Sequence, residues 1–316
     1  MLKIAIVGTG IIVKSHLNAI EQLDDVELVA LCDVNEEKAK TFSEQCGVPY
    51  VLDYKDLVQK FDFDAVILNL PHGLHCSVAE FFLDAGKHVL VEKPMANTVE
   101  ECDRMIAAAK RNNKKLAIAH IQRYFSAIQQ AKEIYESGEL GKLCMYTEER
   151  CENYFYEGRP KWFLSKNTAG GGIAMNFAAH AFDKLFSVMG DAKIVSVDGA
   201  SGNLTKDYDV EGHSQIFAKF DNGVSACVTL NGYAHTHYTV IFHFTKGALR
   251  VVGHTLEINR GDGKGFVALP ENTGLLGFAQ EIDAFHKYIK GEPTNIPDGE
   301  YSRQIIDIIQ TSYEKA

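Results

Sequence analysis

No apolar run in this chain of 316 residues approaches the roughly 18 uninterrupted positions that a bilayer-crossing helix needs. Basic residues are outnumbered by acidic ones, 32 to 42, for a formal charge of −10, and no Lys/Arg cluster stands out. A nucleic-acid partner is therefore not expected, because phosphate binding needs a basic patch. The seven cysteines, at 32, 46, 76, 102, 144, 151 and 227, form no Cys-x-x-Cys pair. Their spacing argues against a zinc site, and their odd number fits free thiols in a reducing cytoplasm. Repeats, low-complexity tracts and long linkers are also missing. The opening "IAIVGTGIIV" imitates a secretory apolar segment, but it contains two glycines, runs into "KSH" and lacks a small-residue cleavage site. A soluble globular chain is expected, and its length suggests two domains of about 150 residues each.

The first 120 residues alternate short apolar runs with helical patterns. "KIAIVG", "VELVALCD", "DAVILNL", "HVLVE" and "KLAIAH" read as strands buried on both faces, separated by helices. That pattern predicts a doubly wound α/β domain with a parallel sheet. The period changes after His120. "HSQIFAKFDNGVSACVTLNGY" is a hairpin signal: Ile216, Ala218 and Phe220 alternate, Asn222-Gly223 turns, and Val224, Ala226 and Val228 alternate back. Further alternating runs predict a large, mostly antiparallel open sheet. Two amphipathic helices close the chain. The expected organisation is a Rossmann domain over 1–120 and an α+β substrate and oligomerisation domain over 121–316, the last helix able to pack back on the first domain.

"IAIVGTGIIVKSH" is a strand, then Gly8-Thr9-Gly10, then a helix beginning near Ile11 and Ile12. Gly8 permits a tight turn. Gly10 lets backbone approach a pyrophosphate at the helix N-terminus, where unpaired N–H groups favour anions. Val13 stands where the dinucleotide fingerprint has its third glycine. Asp33, 25 residues beyond Gly8, ends the second strand, the expected place for a carboxylate on the adenosine ribose. It would repel a 2′-phosphate, so NAD is favoured over NADP. A second signal is "VEKP": Lys93 follows a buried strand and Glu92, with Pro94 fixing the chain after it. Lysine at the carboxyl end of such a strand lies where open α/β sheets bind ligands, although a surface lysine is the plainer alternative.

Four blocks in order resemble the glucose–fructose oxidoreductase/inositol dehydrogenase (Gfo/Idh/MocA) family of nicotinamide-dependent oxidoreductases. They are the glycine turn followed by His16, "NLPHGLHCSVAEFFLDAGKHVLVEKP", "QRYFSAIQQAKEIYESGELGKL" and "AGGGIAMNFAAHAFDKLFSVMG". The resemblance covers the whole chain. It implies that Lys93 and His180 are the catalytic pair. It places Leu70, Pro71, His72 and His75 along the nicotinamide half of the cofactor, with Glu92 beside them. His72 stands where the family has Asn. Trp162 resembles a tryptophan near cofactor and substrate, and Arg123 an arginine after the fifth Rossmann strand, expected at the substrate. Asn176 departs from the family's usual Asp and can neither exchange a proton nor supply a charge.

Hydride transfer at a carbinol carbon requires a proton to move on the oxygen. A fixed lysine can hydrogen-bond that oxygen, and residues 176 and 180, one helical turn apart, share a face. "AGGG" before that helix reads as backbone brought close to substrate. Tyr154, Phe155 and Tyr156 could line a sugar pocket or simply pack on the sheet. His72 and His75 lack an evident third ligand, so no metal is expected. His235 and His237 are expected on solvated sheet.

The expected activity is an NAD-dependent dehydrogenase acting on a sugar, polyol or related cyclic alcohol. Two rivals are a non-catalytic NAD-binding sensor, mildly favoured by Asn176, and a redox-neutral glycosidase or lyase with bound NAD. A homodimer or homotetramer is expected through an apolar sheet face bearing Tyr238, Val240, Phe242 and Phe244.

Overall fold

The structure, a computed structural model, describes residues 1–190, 192–204, 207–233, 236–271 and 277–316. It divides into two compact units, Met1–Ile121 with Leu275–Arg303, and Gln122–Gly274 with Gln304–Ala316.

The first unit is built on six strands: β1 (Leu2–Val7), β2 (Val26–Cys32), β3 (Tyr50–Val51), β4 (Ala65–Leu68), β5 (His88–Glu92) and β6 (Leu116–Ala119). All pair in parallel, in the order β3-β2-β1-β4-β5-β6. Every residue of β4 and β6 is buried, as strands covered on both faces must be. The crossover helices are α1 (Val13–Ile20), α2 (Glu36–Cys46), α3 (Lys55–Lys60), α4 (His75–Asp84) and α5 (Val99–Arg111). Their ends follow local rules: Asn35 and Thr98 cap α2 and α5 by accepting from Lys38 and Glu101 N–H groups. The strand order reverses between β1 and β4, which puts the ligand-binding crevice at their carboxyl ends. The doubly wound class is the one read from the sequence, with the two-residue edge strand β3 added to the five strands expected.

The second unit carries an eight-stranded sheet. Its strands are β7 (Leu143–Cys151), β8 (Ile194–Gly202), β9 (His213–Phe220), β10 (Ser225–Asn231), β11 (His237–Phe244), β12 (Gly247–Val252), β13 (Thr255–Asn259) and β14 (Val267–Ala268). The order is β14-β13-β12-β11-β7-β10-β9-β8, antiparallel except where β10 joins β7. The expected β9–β10 hairpin is present, with Gly223 at φ +87° in its turn. Of α6 (Ser126–Ser137), α7 (Lys166–Ala169) and α8 (Ile173–Met189), the last is apolar almost all round, and 15 of its 17 residues are buried. It packs against α6 and across β7, β9 and β10. The closing helices are α9 (Phe278–Lys290), which packs on α1 in the first unit, and α10 (Gly299–Lys315).

One expectation fails here. Val240, Phe242 and Phe244 are buried and Tyr238 is half-buried, so they do not form an open face. Phe242 lies opposite Tyr146 and Val240 opposite Glu148, both buried, on the side of the sheet that packs beneath helices. A helix as apolar as α8 must cover the more apolar sheet face, and alternation sends the neighbours to the other side. The uncovered face carries Thr147, Phe217, Thr229, Thr239, Ile241 and His243. Of the two histidines expected on solvated sheet, His237 begins β11 and is exposed, whereas His235 lies outside the described residues.

Candidate active site

At the switch point Gly8 has φ +96°, and a Cβ there would lie 2.2 Å from the Asn69 carbonyl oxygen. Only glycine lets the β1 turn pass the end of β4 so closely. A Cβ on Gly10 would meet nothing within 4 Å, so the backbone there faces open space. Ile11 is 79% exposed, and no side chain caps the start of α1 after Ile12. The Val13 and Ser15 N–H groups close the turn onto the Gly10 and Ile12 carbonyls, at 3.2 and 3.0 Å.

Asp33 holds the turn. Its Oδ2 accepts from the Thr9 N–H and the Thr9 hydroxyl, both at 2.7 Å, and its Oδ1 accepts from the Asn35 N–H at 2.8 Å. A carboxylate has about four acceptor sites, so one remains for a ribose hydroxyl. Asn69, which no motif singled out, adds a second unmet demand. Both ends of its side-chain amide are buried without a hydrogen-bond partner. A bound polar group would relieve that cost. These features together fit a dinucleotide.

At the end of β5 the Glu92 carboxylate is fixed at both oxygens. Oε1 lies 3.0 Å from Nε2 of fully buried His16, and Oε2 accepts from the Lys93 N–H at 3.2 Å. The Lys93–Pro94 peptide is cis. His75, also fully buried, reaches the Pro94 carbonyl with Nδ1 and the Leu70 carbonyl with Nε2, each at 2.9 Å. Burial lowers its pKa, against the two carbonyls and Glu92, which favour the protonated ring that can donate to both. His75 thereby ties the Leu70-Pro71 loop to the segment carrying Lys93; it is a positioning residue. His72 is buried in the short turn that follows Pro71. Among the described residues no group of three or more His, Cys, Asp or Glu could hold a metal.

In the second unit Asn176 and His180 sit one turn apart on α8, both buried. The N-terminus of that helix is filled by the protein itself. Glu211 accepts from the Gly172 N–H at 2.7 Å and the Ala174 N–H at 2.9 Å. The Tyr313 hydroxyl donates to Glu211 at 2.9 Å and accepts from the Met175 N–H at 3.1 Å. The adjoining glycines have a packing reason. A Cβ on Gly172 would lie 2.0 Å from the Glu211 carbonyl oxygen, and one on Gly171 2.1 Å from the Tyr313 hydroxyl.

Arg123, expected at the substrate, is buried against Asp183 of α8, with Nε 3.1 Å from Oδ1. Next to Asp183, Lys184 lies 1% exposed, donating to Glu148 at 3.2 Å and Gln122 at 2.8 Å. The Tyr146 hydroxyl donates to the other Glu148 oxygen at 2.5 Å. Burial pushes the Lys184 pKa down, against the pull of Glu148. Tyr154 is 1% exposed and packs 6.2 Å from the Phe177 ring. Phe155 is stacked between Tyr208 and Tyr233, each at 5.4 Å. Trp162 is half-buried against Phe163.

A reversing parallel sheet, a glycine turn at its first strand and an acid at its second define a dinucleotide-binding Rossmann protein with an appended α+β unit. Residues 2–120 match the oxidoreductase family with NAD-binding Rossmann fold, and residues 128–250 match the Gfo/Idh/MocA C-terminal domain. The chain belongs to this family. It is 35% identical over 236 residues to 1-carboxy-3-chloro-3,4-dihydroxycyclo hexa-1,5-diene dehydrogenase of Comamonas testosteroni, covering 74% of this chain and 59% of that one. It is 35% identical over 148 residues to inositol 2-dehydrogenase of Salmonella paratyphi B, covering 46% and 44%. The chain thus spans about half the length of these relatives. The crystal structure of aldose-aldose oxidoreductase from Caulobacter crescentus, complexed with glycerol, shares the fold over 100% of this chain and 97% of that one, with TM-score 0.90 at 23% identity.

Proposed function

We propose that the protein is an NAD-dependent oxidoreductase that interconverts a CH–OH carbon and a carbonyl in a sugar, polyol or related cyclic alcohol. The observation that carries this reading is the built end of β5. Lys93 follows a carboxylate fixed on both oxygens and is tied through His75 to the loop after β4, in the sheet that holds the glycine turn. Such fixing is what a group acting on a reacting oxygen needs. The relatives named for a cyclic diol and an inositol support the substrate class.

Bound NAD supplies a two-electron hydride acceptor. Gly8, Thr9, Gly10, Ile11 and Ile12 would hold its pyrophosphate, and Asp33 its adenosine ribose. Leu70, Pro71, His72, Glu92 and Trp162 are assigned to the nicotinamide half. The alcohol loses a hydride from carbon and a proton from oxygen; reduction returns both. Lys93 hydrogen-bonds the oxygen and stabilises its negative charge. His180 takes the proton, and Asn176 offers a neutral amide one turn away. The test is NADH absorbance change with a panel of sugars, inositols and ketoses. No change with any member, or NAD that stays bound and cycles without net turnover, would remove this reading.

Asp33 should make NAD bind at least roughly tenfold more tightly than NADP, through its remaining acceptor and repulsion of a 2′-phosphate. Titration with both cofactors measures this, and equal or tighter NADP binding counts against the ribose contact.

We infer further that copies pair through the uncovered sheet face, where Phe217 of β9 is 39% exposed and which Thr229 of β10 and Ile241 of β11 share. Light scattering at micromolar concentration should give a dimer or tetramer mass; a monomer mass rejects the pairing. No helix among the described residues is long and apolar enough to cross a membrane. All seven cysteines are free, which supports a reducing, cytoplasmic setting.

A further inference from the structure

The chain has eight arginines. Seven are paired with a carboxylate, from buried Arg123 on Asp183 to half-exposed Arg104 on Glu80. Arg159 forms no ion pair among the described residues. It is held by rings instead. Its guanidinium carbon lies 3.6 Å from the centre of the Tyr154 ring, 4.2 Å from Phe163 and 5.6 Å from Tyr156. Its Nε is buried and has no hydrogen-bond partner.

Ring contacts steady a guanidinium but bring no counter-charge, and its buried Nε–H finds no acceptor among the described residues. Tyr154 does not supply the missing charge, because burial pushes its phenol up to about 12. A cation left unpaired in a chain of net charge −10, where every other arginine takes a carboxylate, marks a place kept for an anion from outside.

The surroundings say which anion. Tyr154 packs edge-on against Phe177, the chain neighbour of Asn176 on α8. A second arginine, Arg150, lies 3.9 Å from the Phe177 ring, but its guanidinium is already taken by Glu152 at 2.8 Å. One guanidinium presents two parallel donors that match the two oxygens of one carboxylate. A phosphate, carrying about 1.5 to 2 negative charges, would call for more cationic partners than this cluster has to spare.

We propose that Arg159 binds a carboxylate on the substrate, so that the preferred substrate is an acidic sugar or carboxylated cyclic alcohol rather than a neutral polyol. This inference rests on the oxidoreductase reading above and narrows its substrate class.

The test uses the full-length protein saturated with NADH and measures binding by calorimetry for pairs that differ only in the acid group, D-glucuronate against D-glucose and quinate against its methyl ester. In the wild type at least one acid should bind roughly tenfold or more tightly than its neutral partner, a ratio that one charge-assisted bidentate contact supports. In Arg159→Gln that acid-to-neutral ratio should fall at least about tenfold, with Arg159→Lys in between. The exposed Arg260→Gln serves as control and should leave the ratio as it is. An unchanged ratio in a folded Arg159→Gln protein, or no acid that the wild type prefers, overturns the proposal. Arg159-dependent binding of an acid without NAD reduction by any acid would instead strike the oxidoreductase reading and leave the carboxylate site standing. NAD reduction by neutral polyols with no preference for acids would do the reverse.

Discussion

Lys93→Met is expected to lower turnover by at least about a hundredfold, while NADH affinity stays within a few-fold. Positioned proton transfer and hydrogen bonding to a reacting oxygen contribute roughly a hundred- to ten-thousandfold. Methionine keeps the length and removes the charge and the donors. The backbone contact that Lys93 makes is its N–H on Glu92, which the substitution leaves in place, as it leaves Glu92 with His16 and the His75 ties. The loss should therefore appear in kcat and kcat/KM together, the signature of a contact made in the transition state. Steady-state kinetics with an accepted alcohol and NADH fluorescence titration measure the two quantities. Turnover within about threefold of wild type would make Lys93 structural. A parallel loss of NADH affinity would make it a cofactor-holding residue instead.

The second large effect is on stability. Lys184 is 1% exposed and Glu148 2%. Removing one partner of such a buried pair strands the other charge and costs about 3–5 kcal/mol. Lys184→Met should do this in the second unit, leaving Glu148 with the Tyr146 hydroxyl and, among the described residues, no other ion-pair partner. Replacing Glu148 by leucine as well should regain more than half of the loss, because an apolar substitute for both charges avoids their desolvation. Trp162, the single tryptophan of the chain, belongs to the second unit. Its fluorescence during urea unfolding reports on that unit directly. A single variant as stable as wild type would show that the pair is hydrated or dispensable.

Much of the fold was legible because its signals are local. β4 and β6 are buried along their whole length and read as unbroken apolar runs. The Asn222-Gly223 turn sits between two alternating strands and announced its hairpin. Gly8 and Asp33 were also readable, since each is fixed by its place at the end of a strand. His16 was visible within the first block, but its hold on Glu92, 76 residues away, was not. The face of β11 was misassigned for a related reason. Alternation identifies two faces, but not which one α8 will cover.

By itself the sequence determined the doubly wound sheet, the glycine turn with its acid, the family and the candidates Lys93 and His180. These depend on periods of two and 3.6 and on residues a strand or a turn apart. Only the tertiary structure decided which polar groups are already answered from within. Arg123 is taken by Asp183 across 60 residues, Lys184 by Glu148 across 36, and the start of α8 by Glu211 and Tyr313 across as many as 138. Arg159, in the same sequence, is left among the described residues with rings and no carboxylate. A buried charge takes whatever partner packing brings to it, and packing joins segments whose separation along the chain leaves no local pattern to read.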